Sequence, residues 1–151
     1  MHIRSFSNRR ITNITMTMTR MTICVLFSCC AVLPRLDTAP GFVANGETWI
    51  KIRWLRWNGV IEKPLSLLYQ IEYQASDSSE GAVWLLGPLV PHDGLSGSTS
   101  TEYIEAVVSG LTRNTFYDFR VQPMLRGAND STTNASASHP SSPYRTRCSG
   151  V

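Results

Sequence analysis

Cysteine is scarce in this sequence, and its distribution excludes a zinc site. Cys24, Cys29 and Cys30 lie in one apolar run near the N-terminus, and only Cys148 follows that run. No CxxC or Cys/His spacing suited to zinc is present. If the apolar run is removed, Cys148 stays free or pairs outside this chain, so the hydrophobic core must stabilise the domain without an internal disulfide.

A basic surface is also missing from the part of the chain that is expected to fold. The formal charge is +3, but the first 33 residues contain four arginines and no acidic residue. The remainder has ten Lys and Arg against eleven Asp and Glu, a net charge of −1 (10 − 11). We therefore expect no nucleic acid as partner, because binding phosphates requires a basic face on the folded domain.

The first 33 residues have the pattern of a secretory signal peptide. A basic, Ser/Thr/Asn-rich opening precedes the apolar run Ile23–Leu33, which has eleven residues. A transmembrane helix needs roughly 20 residues, so a membrane anchor here is disfavoured. Residues 1–33 are predicted to be a signal peptide or a leader that follows a wrongly assigned start, and a buried strand or helix is the alternative. The other possible starts are Met16, Met18 and Met21.

Two N-glycosylation sequons in one polar stretch agree with a secretory route. Asn129 and Asn134 each begin an Asn-x-Ser sequence, whereas a third sequon at Asn13 lies in the predicted leader. We predict glycans on Asn129 and Asn134. The expected location is secreted, or on the extracellular face of the plasma membrane.

From Gly46 onward, apolar residues recur with the period of two that is typical of β-strands. No segment has the pattern of an amphipathic helix, and polar loops are predicted over 87–101 and 125–138. Six or seven short strands without a helical crossover predict an antiparallel β-sandwich. The predicted strands are Trp49–Trp54, Leu67–Tyr73, Ala82–Leu86, Ile104–Val108, Thr115–Gln122 and Pro143–Arg147.

Large side chains on one face of these strands are predicted to form the core. A domain of about 110 residues can bury such a core without disulfides. The predicted core residues are Trp54, Tyr69, Ile71, Tyr73, Leu111, Tyr117, Phe119 and Val121.

Three motifs in order resemble the fibronectin type III domain over roughly residues 38–147. They are a strand that ends in a tryptophan (Ile50–Trp54), a Tyr-x-hydrophobic-x-Tyr strand (Tyr69–Tyr73) and Gly-Leu followed six residues after the Leu by Tyr117. The last motif is the tyrosine corner of that family, in which the Tyr hydroxyl caps backbone groups of the crossing connection. Arg113 replaces the usual proline of this corner, and the loop over 87–101 is longer than typical.

The resemblance implies a seven-stranded antiparallel immunoglobulin-like sandwich at residues 34–147, followed by a tail at 148–151. A narrower similarity, to membrane-proximal modules of receptor-type tyrosine phosphatases, is carried by Ala39–Phe42 and Tyr144–Cys148. That family implies an adhesive ectodomain, a membrane span and cytoplasmic phosphatase domains. The sequence contains neither of the last two, and we expect it to be a fragment that stops after one module.

Catalytic activity is not predicted. His92, Asp93 and Ser96 could suggest part of a catalytic triad, but no Gly-x-Ser-x-Gly sequence surrounds the serine. Adjacent His and Asp side chains on a loop also lack the fixed geometry of a base and its orienting carboxylate. No cofactor, metal or small-molecule substrate is expected.

Surface features offer three weak candidates for binding. The sequence Arg-Gly-Ala from Arg126 lacks the carboxylate that an integrin-binding Arg-Gly-Asp needs, so a solvated turn is expected there. Lys51, Arg53 and Arg56 could form a small basic face for sulfated glycans, but a mixed charged sheet face is the more common arrangement. Trp57 beside Arg56 is the best candidate for a protein contact, because both residue types are enriched at binding hot spots. Trp57 covering the edge of the sandwich is the alternative.

The sequence therefore predicts a non-catalytic extracellular module that serves adhesion or ligand recognition, as a fragment of a cell-surface receptor. Its partner would be a protein ligand or neighbouring ectodomain modules, with a membrane involved only through a downstream segment that is missing. The alternatives are a complete small secreted glycoprotein that binds a soluble partner, and a passive spacer. An exposed apolar patch would distinguish a binding module from a spacer.

Overall fold

The computed structural model describes residues 33–61, 65–77, 83–93 and 102–149. The predicted leader lies outside these ranges except for its last residue, and so do residues 94–101 of the predicted long loop. Eight strand segments are found in the described ranges. They are β1 (Gly41–Asn45), β2 (Trp49–Leu55), β3 (Ser66–Ala75), β4 (Leu85–Pro91), β5 (Tyr103–Ser109), β6 (Phe116–Arg126), β7 (Thr132–Asn134) and β8 (Tyr144–Arg145).

The strands form two antiparallel sheets. One sheet has the order β1-β2-β5, and the other has the order β4-β3-β6-β7, with β8 also pairing with β6. Buried and exposed positions alternate along β2, β5 and β6, so each strand turns one apolar face inward. This arrangement confirms the predicted all-β antiparallel sandwich. Within the described ranges, no helix is long and apolar enough to cross a bilayer.

The last strand of the second sheet is interrupted, and serine side chains close the gap between β7 and β8. Ser138 N donates to Val121 O over 2.8 Å, and Val121 N donates to Ser138 Oγ over 3.1 Å. Ser141 makes the same pair of bonds with Phe119, at 2.8 and 3.0 Å. The hydroxyls replace backbone carbonyls of a regular ladder, so β7 and β8 are two ends of the seventh strand. The predicted loop over 125–138 was therefore wrong in part: it contains the end of β6 and all of β7, and residues 127–131 form the turn between them.

The Ser141→Ala variant tests this replacement. Ser141 is buried, and without its hydroxyl the N–H of Phe119 loses its acceptor inside the sandwich. We expect the free energy of unfolding to fall by about 1–3 kcal/mol, the cost of an unpaired buried donor. Urea unfolding followed by circular dichroism measures it. Ser142→Ala, at the exposed neighbouring position, is the control; equal losses in both variants would contradict a role for the Ser141 hydroxyl.

Strand β4 extends further than the sequence predicts. The expected strand ended at residue 86, whereas β4 continues to Pro91. Pro91 pairs with Leu68, and the next residue, His92, donates its N–H to Leu67 O over 3.0 Å. Because ladder hydrogen bonds alternate in antiparallel pairs, the nitrogen of Pro91 points away from β3 and no hydrogen bond is lost. The ladder is irregular around Gly87, whose carbonyl accepts from Gln70 Nε2 over 2.8 Å.

The core lies between the two sheets and contains most of the predicted residues. Tyr73 is partly buried and packs against the core. The other seven predicted residues, Trp54, Tyr69, Ile71, Leu111, Tyr117, Phe119 and Val121, are buried. They are joined by further apolar residues of β2, β4 and β5, namely Ile50, Ile52, Val90, Ile104, Ala106 and Val108.

A tyrosine corner fixes the crossing from β5 to β6. The hydroxyl of Tyr117 accepts a hydrogen bond from Thr112 N over 2.9 Å, as the sequence motif implies. Leu111 N donates to Thr48 O over 3.0 Å, which ties the crossing to the connection between β1 and β2. Gly110 has a φ of 78°, a left-handed conformation that costs glycine little. Arg113, at the usual proline position, instead forms a 3.0 Å ion pair with Glu47.

Candidate protein-binding surface

Arg56 and Trp57, the predicted contact residues, lie just after β2 and are held by the fold. Arg56 Nη1 donates to His92 O over 2.8 Å, and Arg56 N donates to Glu102 O over 2.8 Å. Trp57 is partly buried against the core, and its ring lies over Gly59, where a Cβ would meet the indole at 2.0 Å. In this arrangement both side chains secure the loop after β2 to the end of the sandwich.

A hydrogen-bonded Tyr–His pair lies beneath this loop. Tyr69 Oη lies 3.0 Å from His92 Nδ1 and accepts from Trp57 N over 3.2 Å. Burial raises the pKa of Tyr69 above 10.0. Burial, together with the nearby charge of Arg56, lowers the pKa of His92 below 6.5. The raised pKa favours a protonated Tyr69 hydroxyl, and the lowered pKa favours a neutral His92. In the tautomer with its proton on Nε2, His92 Nδ1 accepts a hydrogen bond from the Tyr69 hydroxyl.

The lowered pKa of His92 predicts a loss of stability in mild acid. In the unfolded state His92 takes up a proton as the pH falls below 6.5, whereas in the folded state its lowered pKa delays this uptake. The contribution of His92 to stability is therefore fully present above pH 6.5 and is lost as the pH falls through the pKa of the folded state. We expect the free energy of unfolding to fall between pH 7 and 5, and the fall to be smaller in His92→Gln. Urea titrations at several pH values measure this. His139→Gln, at an exposed histidine, is the control, and an unchanged pH profile in His92→Gln would refute the role of His92.

The predicted basic face is a mixed charged face. Lys51 Nζ lies 2.6 Å from a carboxylate oxygen of Glu105, its diagonal neighbour on the adjacent strand β5. The guanidinium of Arg53 lies over the ring of Tyr103, 5.0 Å from its centroid. Both cations already have partners on neighbouring strands, which disfavours a site for sulfated glycans.

The Arg-Gly-Ala segment forms the tight turn of a hairpin. Gly127 N donates to Ser131 O over 2.8 Å, and Arg126 forms a 3.2 Å ion pair with Asp130. Asn129 is exposed at this turn, and its Oδ1 accepts from Ser131 Oγ over 2.8 Å. Asn134, the second predicted glycosylation site, is the last residue of β7 and is also exposed.

The outer face of the second sheet carries a different candidate, which the sequence did not single out. Leu86 and Leu89 of β4 pair with Glu72 and Gln70 of β3, so all four side chains point away from the core. Leu86 is 70% exposed and Leu89 is 43% exposed. Exposed apolar side chains beside each other at a sheet edge are more informative than isolated ones.

An aromatic and charged cluster adjoins these leucines. The guanidinium of Arg120 on β6 lies over the ring of half-buried Trp84, 4.3 Å from its centroid. Arg120 Nε also contacts a carboxylate oxygen of Glu72 at 2.5 Å. The ion pair fixes the plane of the arginine, and the arginine in turn supports the tryptophan by a cation–π contact. We call Trp84, Leu86, Leu89 and Arg120 the outer patch.

The outer patch has the composition of a binding surface. Tryptophan and arginine dominate binding hot spots, and exposed leucines beside them supply apolar area that a partner can bury. Val83, which precedes Trp84 in the chain, is 78% exposed. Leu85 is 53% exposed but pairs with Tyr73, so it points to the opposite face of β4 and is not part of the outer patch. Among the described residues, no group of three or more His, Cys, Asp or Glu is arranged to hold a metal ion.

One sequence signal pointed toward the outer patch. The run Val83-Trp84-Leu85-Leu86 is apolar without alternation, although a short strand near the sheet edge is expected to have one polar face. The contacts of Trp84 and Glu72 with Arg120 could not be inferred, because they depend on the register of three strands.

Comparisons with known proteins identify the fold. No family model matches the chain, and no curated protein sequence matches it. The fibronectin type III domain of human fibronectin type III domain containing protein 3 is similar in structure, with a TM-score of 0.51 and 18% identity over 82% of this chain and 95% of that one. A crystal structure of several titin domains gives a TM-score of 0.53 and 15% identity over 76% of this chain. The chain spans 32% of that titin structure.

The sheet topology and these neighbours together define the class of fold. The two antiparallel sheets, with β1-β2-β5 facing β4-β3-β6-β7, form an immunoglobulin-like sandwich. The tyrosine corner and the solved neighbours identify it as a fibronectin type III fold. Neither neighbour is a receptor-type phosphatase, and that narrower resemblance stays a prediction.

Proposed function

We propose that the chain is a non-catalytic extracellular recognition module that binds a protein ligand through the outer patch. In this proposal it belongs to the ectodomain of a cell-surface receptor, such as a receptor-type tyrosine phosphatase. The fibronectin type III fold supports a non-catalytic module. The predicted leader and the exposed sequons at Asn129 and Asn134 support an extracellular location.

The outer patch is the observation that favours a binding module over a passive spacer. Leu86 is 70% exposed and lies beside Trp84, whose ring is in contact with the Arg120 guanidinium. A passive spacer gains nothing from such an arrangement. Exposing these groups costs solubility unless a partner covers them, because contiguous apolar surface promotes association. The free cysteine Cys148 is exposed at the opposite end of β6 from the Arg126 turn and lies outside this surface.

Binding of the intact chain to cell surfaces tests the proposal. The chain is expressed in animal cells with a biotin tag, assembled on labelled streptavidin, and titrated onto cultured cells and an array of receptor ectodomains. A recognition module is expected to bind saturably to at least one of these surfaces, and untagged protein is expected to compete. Absence of saturable binding across the array and the cells would favour the spacer instead.

A further inference from the structure

A second apolar row crosses the outer face of the same sheet, at the rung that follows Leu89 of the outer patch. Met124 on β6 pairs with Leu68 on β3, and Leu68 pairs with Pro91 on β4. On its other side, Met124 pairs with Asn134 on β7. Directly paired residues share a face of the sheet, so the row is Asn134, Met124, Leu68 and Pro91.

The pair formed by Met124 and Asn134 is a close one. In the next rung, Ala135 N donates to Pro123 O over 2.9 Å, so the 124–134 rung lies between ladder hydrogen bonds. Side chains in such non-hydrogen-bonded pairs approach most closely. Gln122 Nε2 donates to Ala135 O over 3.0 Å and holds this end of β7 in place. Leu68 lies two strand spacings, about 10 Å, from Asn134.

We propose that a glycan on Asn134 lies across Met124 and Leu68 and stabilises the sheet by covering them. The inference rests on the extracellular location in the proposed function, because only the secretory route attaches such a glycan. The apolar face of the first N-acetylglucosamine packs on the Met124 side chain, and the second sugar reaches Leu68. Water is thereby removed from apolar surface that the domain itself leaves half-exposed.

A glycan on Asn129 has no neighbouring apolar row to cover. Asn129 lies at the tip of the hairpin, where residues 128–131 are all exposed and Arg126 is paired with Asp130. Its glycan is therefore expected to project into solvent. The two sequons are five positions apart in one chain, so Asn129 is a matched control for Asn134.

The first measurement is site occupancy in the full chain expressed in animal cells and collected from the medium. Glycopeptide mass spectrometry is expected to find sugar on Asn134. Sugar on Asn129 with Asn134 empty would overturn this inference and leave the proposed function standing. A chain that stays inside the cells with both sites empty would overturn both.

The second measurement is unfolding in urea. Covering roughly 40 Å² of apolar surface corresponds to about a fivefold change in the unfolding equilibrium constant. We expect the unfolding equilibrium constant to rise by this factor in Asn134→Gln, which loses the glycan. The same rise is expected in Ser136→Ala, which removes the sequon and keeps the asparagine, but not in Asn129→Gln. In a Met124→Gln background, removing the Asn134 glycan is expected to have a smaller effect. Equal effects of the two asparagine variants would overturn the inference.

A direct contact measurement is available because Met124 is the sole methionine after residue 33. Protein from the medium, labelled at the methionine methyl carbon, gives a methyl signal from this position. Nuclear Overhauser contacts between that methyl and sugar protons are expected in the wild type and in Asn129→Gln, and are expected to vanish in Asn134→Gln. An occupied Asn134 without these contacts would contradict the proposed packing.

Discussion

The Trp54→Ala variant is expected to lose about 3–5 kcal/mol of unfolding free energy, the usual cost of deleting a large buried aromatic side chain. Trp54 is 2% exposed and lies between the sheets, where its ring meets Tyr69 edge-on with centroids 5.5 Å apart. A domain of this size has about 5–15 kcal/mol in total. Urea unfolding followed by circular dichroism is the measurement.

Trp57→Ala is the matched control for this prediction. Its indole is only partly buried, over Gly59, so we expect a clearly smaller loss. Within the described residues, Trp54 Nε1 is buried without a hydrogen-bond partner. Trp54→Phe is therefore expected to cost much less than Trp54→Ala, since it keeps most of the ring and removes an unpaired donor. A Trp57→Ala loss as large as that of Trp54→Ala would show that the core is centred elsewhere.

The strands that have one buried face were predictable from sequence. In β2 the alternation of Ile50, Ile52 and Trp54 with charged residues reports directly on burial, and β3 and β6 have the same pattern. The end of β4 was missed because Pro91 breaks the usual pattern of a strand, although its nitrogen faces away from the ladder. The predicted final strand Pro143–Arg147 contains β8, but β7 was missed. The seventh strand continues from β7 to β8 through Ser138 and Ser141, which pair through hydroxyls, and a serine-rich segment has the composition of a loop.

The candidate site was less predictable than the fold. Trp57 and Arg56 were predicted to contact a protein because they are adjacent in sequence. In the structure Arg56 hydrogen-bonds to His92 O, and Trp57 packs against the core at the end of the sandwich. The outer patch depends on Arg120 meeting Glu72 across 48 residues of sequence, and on Trp84 lying over the same guanidinium. Such contacts follow from strand order and register, which one sequence without relatives does not specify.

The second large effect is expected in ligand binding by Leu86→Asp. The substitution places a carboxylate next to Glu72, in the part of the outer patch that a partner has to dehydrate. Burying an unpaired charge in an interface is costly, and we expect the dissociation constant to rise at least about tenfold, or 1.4 kcal/mol. Because Leu86 is 70% exposed, folding should be little affected, and urea unfolding checks this.

Val107→Asp is the control on the opposite sheet. Val107 is 44% exposed on β5 and pairs with Lys51, so it adds the same charge to a surface outside the outer patch. Arg120→Ala gives a second test within the patch, because it removes the support beneath Trp84. We expect Arg120→Ala to weaken binding and Val107→Asp to leave it within about twofold of the wild type, a change of roughly 0.4 kcal/mol.

The ratio of the dissociation constants of Leu86→Asp and Val107→Asp, on a cell surface or ectodomain that binds the wild type, tests the central claim most directly. A recognition module that uses the outer patch predicts a ratio of about ten or more. A ratio near one, with both variants folded, would contradict the assignment of ligand binding to this face of the sandwich.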